Sequence, residues 1–264
     1  ASRALIALVS DSEAKDEHLA ALMAAVEGGG ERASESLLPV VAALNTPEAR
    51  DSLVALTRSE HEPLRLDAVR ALAEWKDSSP MEALLALAIE GEGREAALAS
   101  RGYIRLIQSD TTLHREERMA AAIKIQPHLK DQGAKAQLVG LASGIPTRTS
   151  LDIITSYMGD PAMQRDAVFG IVRLSEGLSA DYPEEVKAAL RSVIDSESVS
   201  AELRAEAQKG LDAIELYADR ILANWTFTDD LHGWEALNQS RLENINGVPI
   251  RRRFSSSLRR PSAQ

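Results

Sequence analysis

The chain has 264 residues, 44% of them hydrophobic, 4% aromatic, a formal net charge of −10 and no cysteine. That composition supports a buried core, disfavours a sandwich filled with large aromatic side chains, and excludes a disulfide framework, a thiolate nucleophile and a Cys-ligated metal. An acidic pI near 5.1 lacks the basic footprint of a nucleic-acid binder. No run reaches the roughly 18 apolar residues of a membrane span.

The chain opens at Ala1 directly into helical pattern, without an initiating Met or a signal-peptide layout, and is expected to be a segment of a longer protein. Leu19, Leu22, Met23 and Val26 share one face of a helix, so residues 1–27 predict one or two amphipathic helices. Gly28-Gly29-Gly30 ends them. The following Glu-Arg-Ala lacks the Gly-Lys-Ser/Thr of a phosphate loop, which makes the glycines a connector.

Next comes the stretch around which the chain is organised, Leu64-Arg65-x-Asp67-Ala68-x-x-Ala71-Leu72. The frame returns as Met163-Gln164-x-Asp166-Ala167-x-x-Gly170-Ile171 and as Leu203-Arg204-x-Glu206-Ala207-x-x-Gly210-Leu211, with a looser copy at Ala99-x-x-Gly102-Tyr103. Small residues three apart let helices approach to roughly 8–10 Å. The copies suit a unit of roughly 30–40 residues. Helices are predicted over 33–44, 47–59, 63–76, 80–90, 93–108, 114–129, 132–143, 147–158, 161–176, 183–195 and 200–221. Thr46-Pro47, Ser79-Pro80 and Asp160-Pro161 are expected to cap helix starts, with proline at the first helical position.

These residues carry a resemblance. The pattern of apolar, Arg, x, acidic, Ala, x, x, small, apolar resembles the second helix of HEAT-type repeats, over most of residues 31–222. The resemblance implies an all-α fold, an α-solenoid of stacked antiparallel helical hairpins. It also implies that these helices line a concave side and that their arginines meet acidic groups of neighbouring repeats. Arg65 with Asp67 and Arg204 with Glu206 fit that frame, whereas Gln164 replaces the arginine in one copy. The run Arg101-Gly102-Tyr103-Ile104-Arg105-Leu106, with residues 138–174, is similar to HEAT-like regions of multi-module proteins from planctomycete-type bacteria. That similarity implies a neighbour in a carbohydrate-active protein and a place in the bacterial cell envelope or periplasm.

After Ala223 the composition changes. Trp225, Phe227, Trp234 and Phe254 are four of the ten aromatic residues, Trp-Thr-Phe-Thr alternates like a strand, and Asn246-Gly247 is a hairpin signal. The segment 223–250 is therefore expected to be β-rich, similar to the first strands of a jelly-roll or lectin-like sandwich. Residues 251–264, rich in Arg and Ser, are expected to be a disordered basic tail. Six arginines against four acidic residues leave residues 224–264 at +2 and residues 1–223 at −12. Three parts result: a solenoid over 1–222, a β-rich segment and a tail.

Candidate chemistry is sparse. His18, His61, His114, His128 and His232 form no HxxxH or HExxH pair, so no metal site is expected. No nucleophile elbow precedes any serine. Neither a catalytic residue nor a cofactor is nominated, and the chain is expected not to be an enzyme. Arg101, Tyr103 and Arg105 form a cluster that could grip an acidic partner, set against a reading in which Tyr103 is core and the arginines pair locally. Binding contacts are expected at Arg65, Arg101, Arg105 and Arg204, and at Trp225 and Trp234, which either stack on a sugar or fill a small core. The expected function is a protein-interaction scaffold holding a protein partner or a neighbouring module of its own chain. The alternative is a structural spacer of a larger carbohydrate-active or sugar-binding protein whose chemistry lies elsewhere.

Overall fold

In a computed structural model, the described residues are 2–10 and 12–223, and they are helical. In chain order the helices are α1 (Ser2–Ser10), α2 (Lys15–Gly29), α3 (Glu31–Leu44), α4 (Pro47–Leu56), α5 (Glu62–Ala73), α6 (Met81–Glu90) and α7 (Gly93–Ser109). They continue as α8 (Arg115–Ile125), α9 (Gln132–Ser143), α10 (Arg148–Ser156), α11 (Gln164–Leu178), α12 (Pro183–Ile194) and α13 (Ala201–Ala223), with one 3₁₀ turn, Gln126–His128. The segment expected to be β-rich, with its two tryptophans, and the tail lie outside the described residues.

Local chemistry sets most boundaries. Thr46 Oγ1 accepts from the Ala49 amide at 3.2 Å with Pro47 as the first helical residue, which starts α4. Asp131 and Thr147 cap α9 and α10 in the same way, accepting from Ala134 and Ser150. His114 and Glu117 form a reciprocal capping box at α8. Gly30 closes α2 and opens α3 at φ +68°, a backbone region that a side chain disfavours.

Two expected caps behave differently. Ser79 does not cap α6, which begins one residue after Pro80. Asp160 folds Pro161, Ala162 and Met163 into a turn by accepting from the Ala162 amide, and α11 begins only at Gln164. In both cases the proline sits in a turn ahead of the helix.

The principal helix contacts join elements one or two places apart in the chain. Helices α3, α5, α7, α9 and α11 touch one another in series, and α4, α6, α8, α10 and α12 flank them, touching their own neighbours more sparsely. The repeated small and apolar positions lie at these joints. Ala68, Ala99, Ala167 and Ala207 are fully buried, as are Leu72 and Ile171. A Cβ on Gly102 of α7 would overlap the methyl of Ala73 and come within 2.8 Å of its Cα, and one on Gly170 of α11 would lie 2.6 Å from Ser143 Oγ on α9. Glycine lets the α7 backbone meet α5 at Gly102 and makes room for the Ser143 side chain at Gly170.

Candidate binding face

Helices α5, α7, α9 and α11 are occupied on their flanks by each other and on one side by the even-numbered helices. The side left over carries their exposed residues. Cross-links knit the row where each helix begins. Arg65 Nη1 donates to the carbonyls of Ser59 and Glu60, and its Nε lies 3.5 Å from Glu95 of α7. Arg101 of α7 reaches Asp131, the cap of α9, at 2.7 Å. Lys135 of α9 reaches Asp160 ahead of α11 at 2.8 Å. Gln164 of α11 donates to the Met158 carbonyl and to Ser198 Oγ ahead of α13. Gln164 therefore repeats both contacts of Arg65, one to the carbonyl six residues back and one to the next repeat, without a charge.

Electrostatics follow these links. Burial opposes ionisation of Asp131, but the hydrogen bond from Arg101, the Ala134 amide and the Arg101 charge hold its carboxyl below the ordinary value. Asp160 is lowered chiefly by the hydrogen bond from Lys135, then by the Ala162 amide. Asp110 is brought down to about 2 by hydrogen bonds from Ser78 and Thr112. Carboxylates held ionised in this way are poor proton donors at neutral pH. Among the described residues, no three His, Asp or Glu side chains are grouped to hold a metal ion.

A recess of about 210 Å³ opens on this face, lined by Arg70 of α5 and Glu74 just after it, Leu98, Arg101 and Arg105 of α7, and Gln137 of α9. Its floor is low because Gly102 meets Ala73 there. Arg105 is half-buried. Its Nε and Nη2 donate to the carbonyls of Ala73 at 2.6 Å and Trp75 at 2.7 Å, where α5 ends. Burial lowers the pKa of this guanidinium and Glu74 offsets that in part. A cation on the last carbonyls of a helix satisfies groups that have no partner within the helix and complements its dipole.

The structure therefore brings Arg101 and Arg105 together and leaves Arg65 at the edge of the row. Arg204 is partly exposed on α13 and has no side-chain partner among the described residues. Trp225 and Trp234 fall outside the described residues. Tyr103 is buried and donates from its hydroxyl to the Ala121 carbonyl of α8 at 3.1 Å. Asp67 does not meet Arg65 but accepts from Ser34 of α3 and pairs with Arg70.

Sequence reading missed Arg70 and Gln137, and missed Arg165, Phe169 and Arg173 on α11. The last three are exposed, with the Arg165 guanidinium 5.8 Å from the centroid of the Phe169 ring. Their four-residue spacing, opposite buried Ala167 and Ile171, was the available signal. On the other flank a shallow groove of about 460 Å³ separates α10 from α12, with Asp152 and Glu185 on its walls.

No protein-family model matches the chain, and no curated protein matches it. Among solved structures, the crystal structure of an engineered protein aligns at 16% identity over 81% of this chain and 96% of its own, with a TM-score of 0.40. No helix among the described residues is long and apolar enough to cross a membrane.

Proposed function

We propose that the chain is a HEAT-like α-solenoid that serves as a non-catalytic protein-interaction scaffold, displaying the outward side of α5, α7, α9 and α11 to a protein partner or to a neighbouring module of its parent chain. The observation that carries the reading is the cross-link repeated from one odd-numbered helix to the next, through Arg65, Arg101, Lys135 and Gln164. Such links fix the spacing of successive helices, so side chains on the free side stand in a defined series. Exposed pairs of this kind contribute about 0–1 kcal/mol each. Their value here is positional.

The test is cross-linking mass spectrometry on the full chain captured with its partners from the source organism. Partner cross-links clustered on α5 to α11, and reduced by charge reversal there, are expected. Cross-links spread evenly over both sides, or reproducible turnover of a substrate abolished by one substitution, would count against the scaffold.

A further inference from the structure

We propose that the face formed by α7, α9 and α11 binds an extended acidic segment of a protein partner, laid across α9; this rests on the scaffold reading and specifies the chemistry of the partner. The charge of the face carries the inference. Residues 1–223 sum to −12, yet this strip presents Arg101 and Arg105 on one side and Arg165 and Arg173 on the other. Arg165 and Arg173 have no ion-pair partner among the described residues. Arg101 is half exposed and spends Nε and Nη2 on Asp131, which leaves Nη1 for another acceptor.

Carboxylates stand here too: Asp131 is paired with Arg101, Glu74 shares the recess with Arg101 and Arg105, and α11 exposes Asp166 and Glu176 beside its two arginines. Helix α9 itself contains no acidic residue. Arginine in such a setting favours planar, two-point hydrogen bonding to carboxylates.

Phe169 adds an apolar anchor. It is 47% exposed although it lies on the same helix as a fully buried Ala167 and Ile171. With Arg165 over its ring, it offers a partner both an apolar edge and a charge. Between the two arginine pairs the ground is low, for a Cβ on Gly140 would meet nothing within 4 Å. Adjacent helix axes lie roughly 8–10 Å apart, so the two pairs are spanned by about six extended residues.

The experiment selects a random phage-displayed library of peptides about twice that long on the full chain, then measures the enriched peptides, made synthetically, by fluorescence anisotropy. Enriched sequences should carry acidic residues on both sides of an apolar one. They should bind roughly tenfold or more weakly to the Arg165→Glu/Arg173→Glu chain, more weakly to Phe169→Ala, and unchanged to Lys124→Glu on α8, with helical circular dichroism retained in all three. Peptides without acidic bias, or equal binding to the wild type and the double variant, overturn the acidic-segment proposal while leaving a scaffold that uses another face. Displacement of the peptides by a single-stranded oligonucleotide that binds more tightly overturns it in favour of a polyanion site. No enrichment at all counts against the scaffold as well.

Discussion

The odd-numbered and even-numbered helices of this chain solve the same packing problem differently. In the row of α5, α7, α9 and α11, small residues stand at the joints: Gly102 meets Ala73 almost backbone to backbone, and Gly170 meets Ser143. In α10 and α12 the joint is loose enough to leave a groove lined by Leu151, Thr155 and Ala188. The lesson is that close packing has been concentrated in one row. The close row bears Arg101, Arg105, Arg165 and Arg173, and the loose row closes the core behind it.

Overfilling the close row should have the largest effect. Gly102→Leu places a side chain inside Ala73, and it is expected to lower stability by about 3 kcal/mol, read as a fall in the urea midpoint. Ala167→Leu should act similarly. An unchanged midpoint in both would show that the two rows do not differ as described.

Arg105→Met comes next. It removes two charge-assisted hydrogen bonds from the end of α5, and a loss of about 2 kcal/mol is expected, against less than about 1 kcal/mol for the half-exposed Arg101→Met. Equal losses would mean that the cap on α5 adds nothing beyond an ordinary surface pair.

Gly140→Ala should raise stability by roughly 0.5–1 kcal/mol, since the position is helical and open. Ala188→Leu, on the loose row, should stay within about 0.5 kcal/mol of the wild type. Acid offers a further test of the cross-links. The carboxyls of Asp131 and Asp160 lie below their ordinary 3.8 in the folded chain, so they contribute stability above that pH and lose it as pH falls through their folded values. In Asp131→Asn/Asp160→Asn the urea midpoint should fall less steeply below pH 4, whereas a curve parallel to the wild type would remove these links from the stability of the row.

Much of the fold was legible because its signals are local. Apolar spacing located the helices, and Thr46-Pro47 named its own cap. Ser79-Pro80 and Asp160-Pro161 misled because the same residue pair also starts a turn, and only the conformation of the residues that follow separates the two outcomes. The candidate face was harder to read. Arg105 looked like a free contact because a one-dimensional pattern does not show that the end of α5, more than thirty residues earlier, lies beneath it. Gln164 looked like a break in the series because residue type was taken as the signal, while the geometry preserved is that of a donor reaching six residues back and one repeat ahead. Arg165, Phe169 and Arg173 were spaced to be noticed, but they stand outside the repeated frame and drew no weight.

The confinement of principal helix contacts to first and second neighbours has a consequence for how the molecule comes into being. Mean sequence separation between contacting residues is kept small, the condition under which chains find their native state quickly. A ribosome delivers roughly 5–20 residues per second, and by the time α9 has emerged, every principal neighbour of the helices from α1 to α7 is already present to dock. The helices from α3 to α12 can thus be laid down in the order of their synthesis, each finding a template in one or both of the two before it.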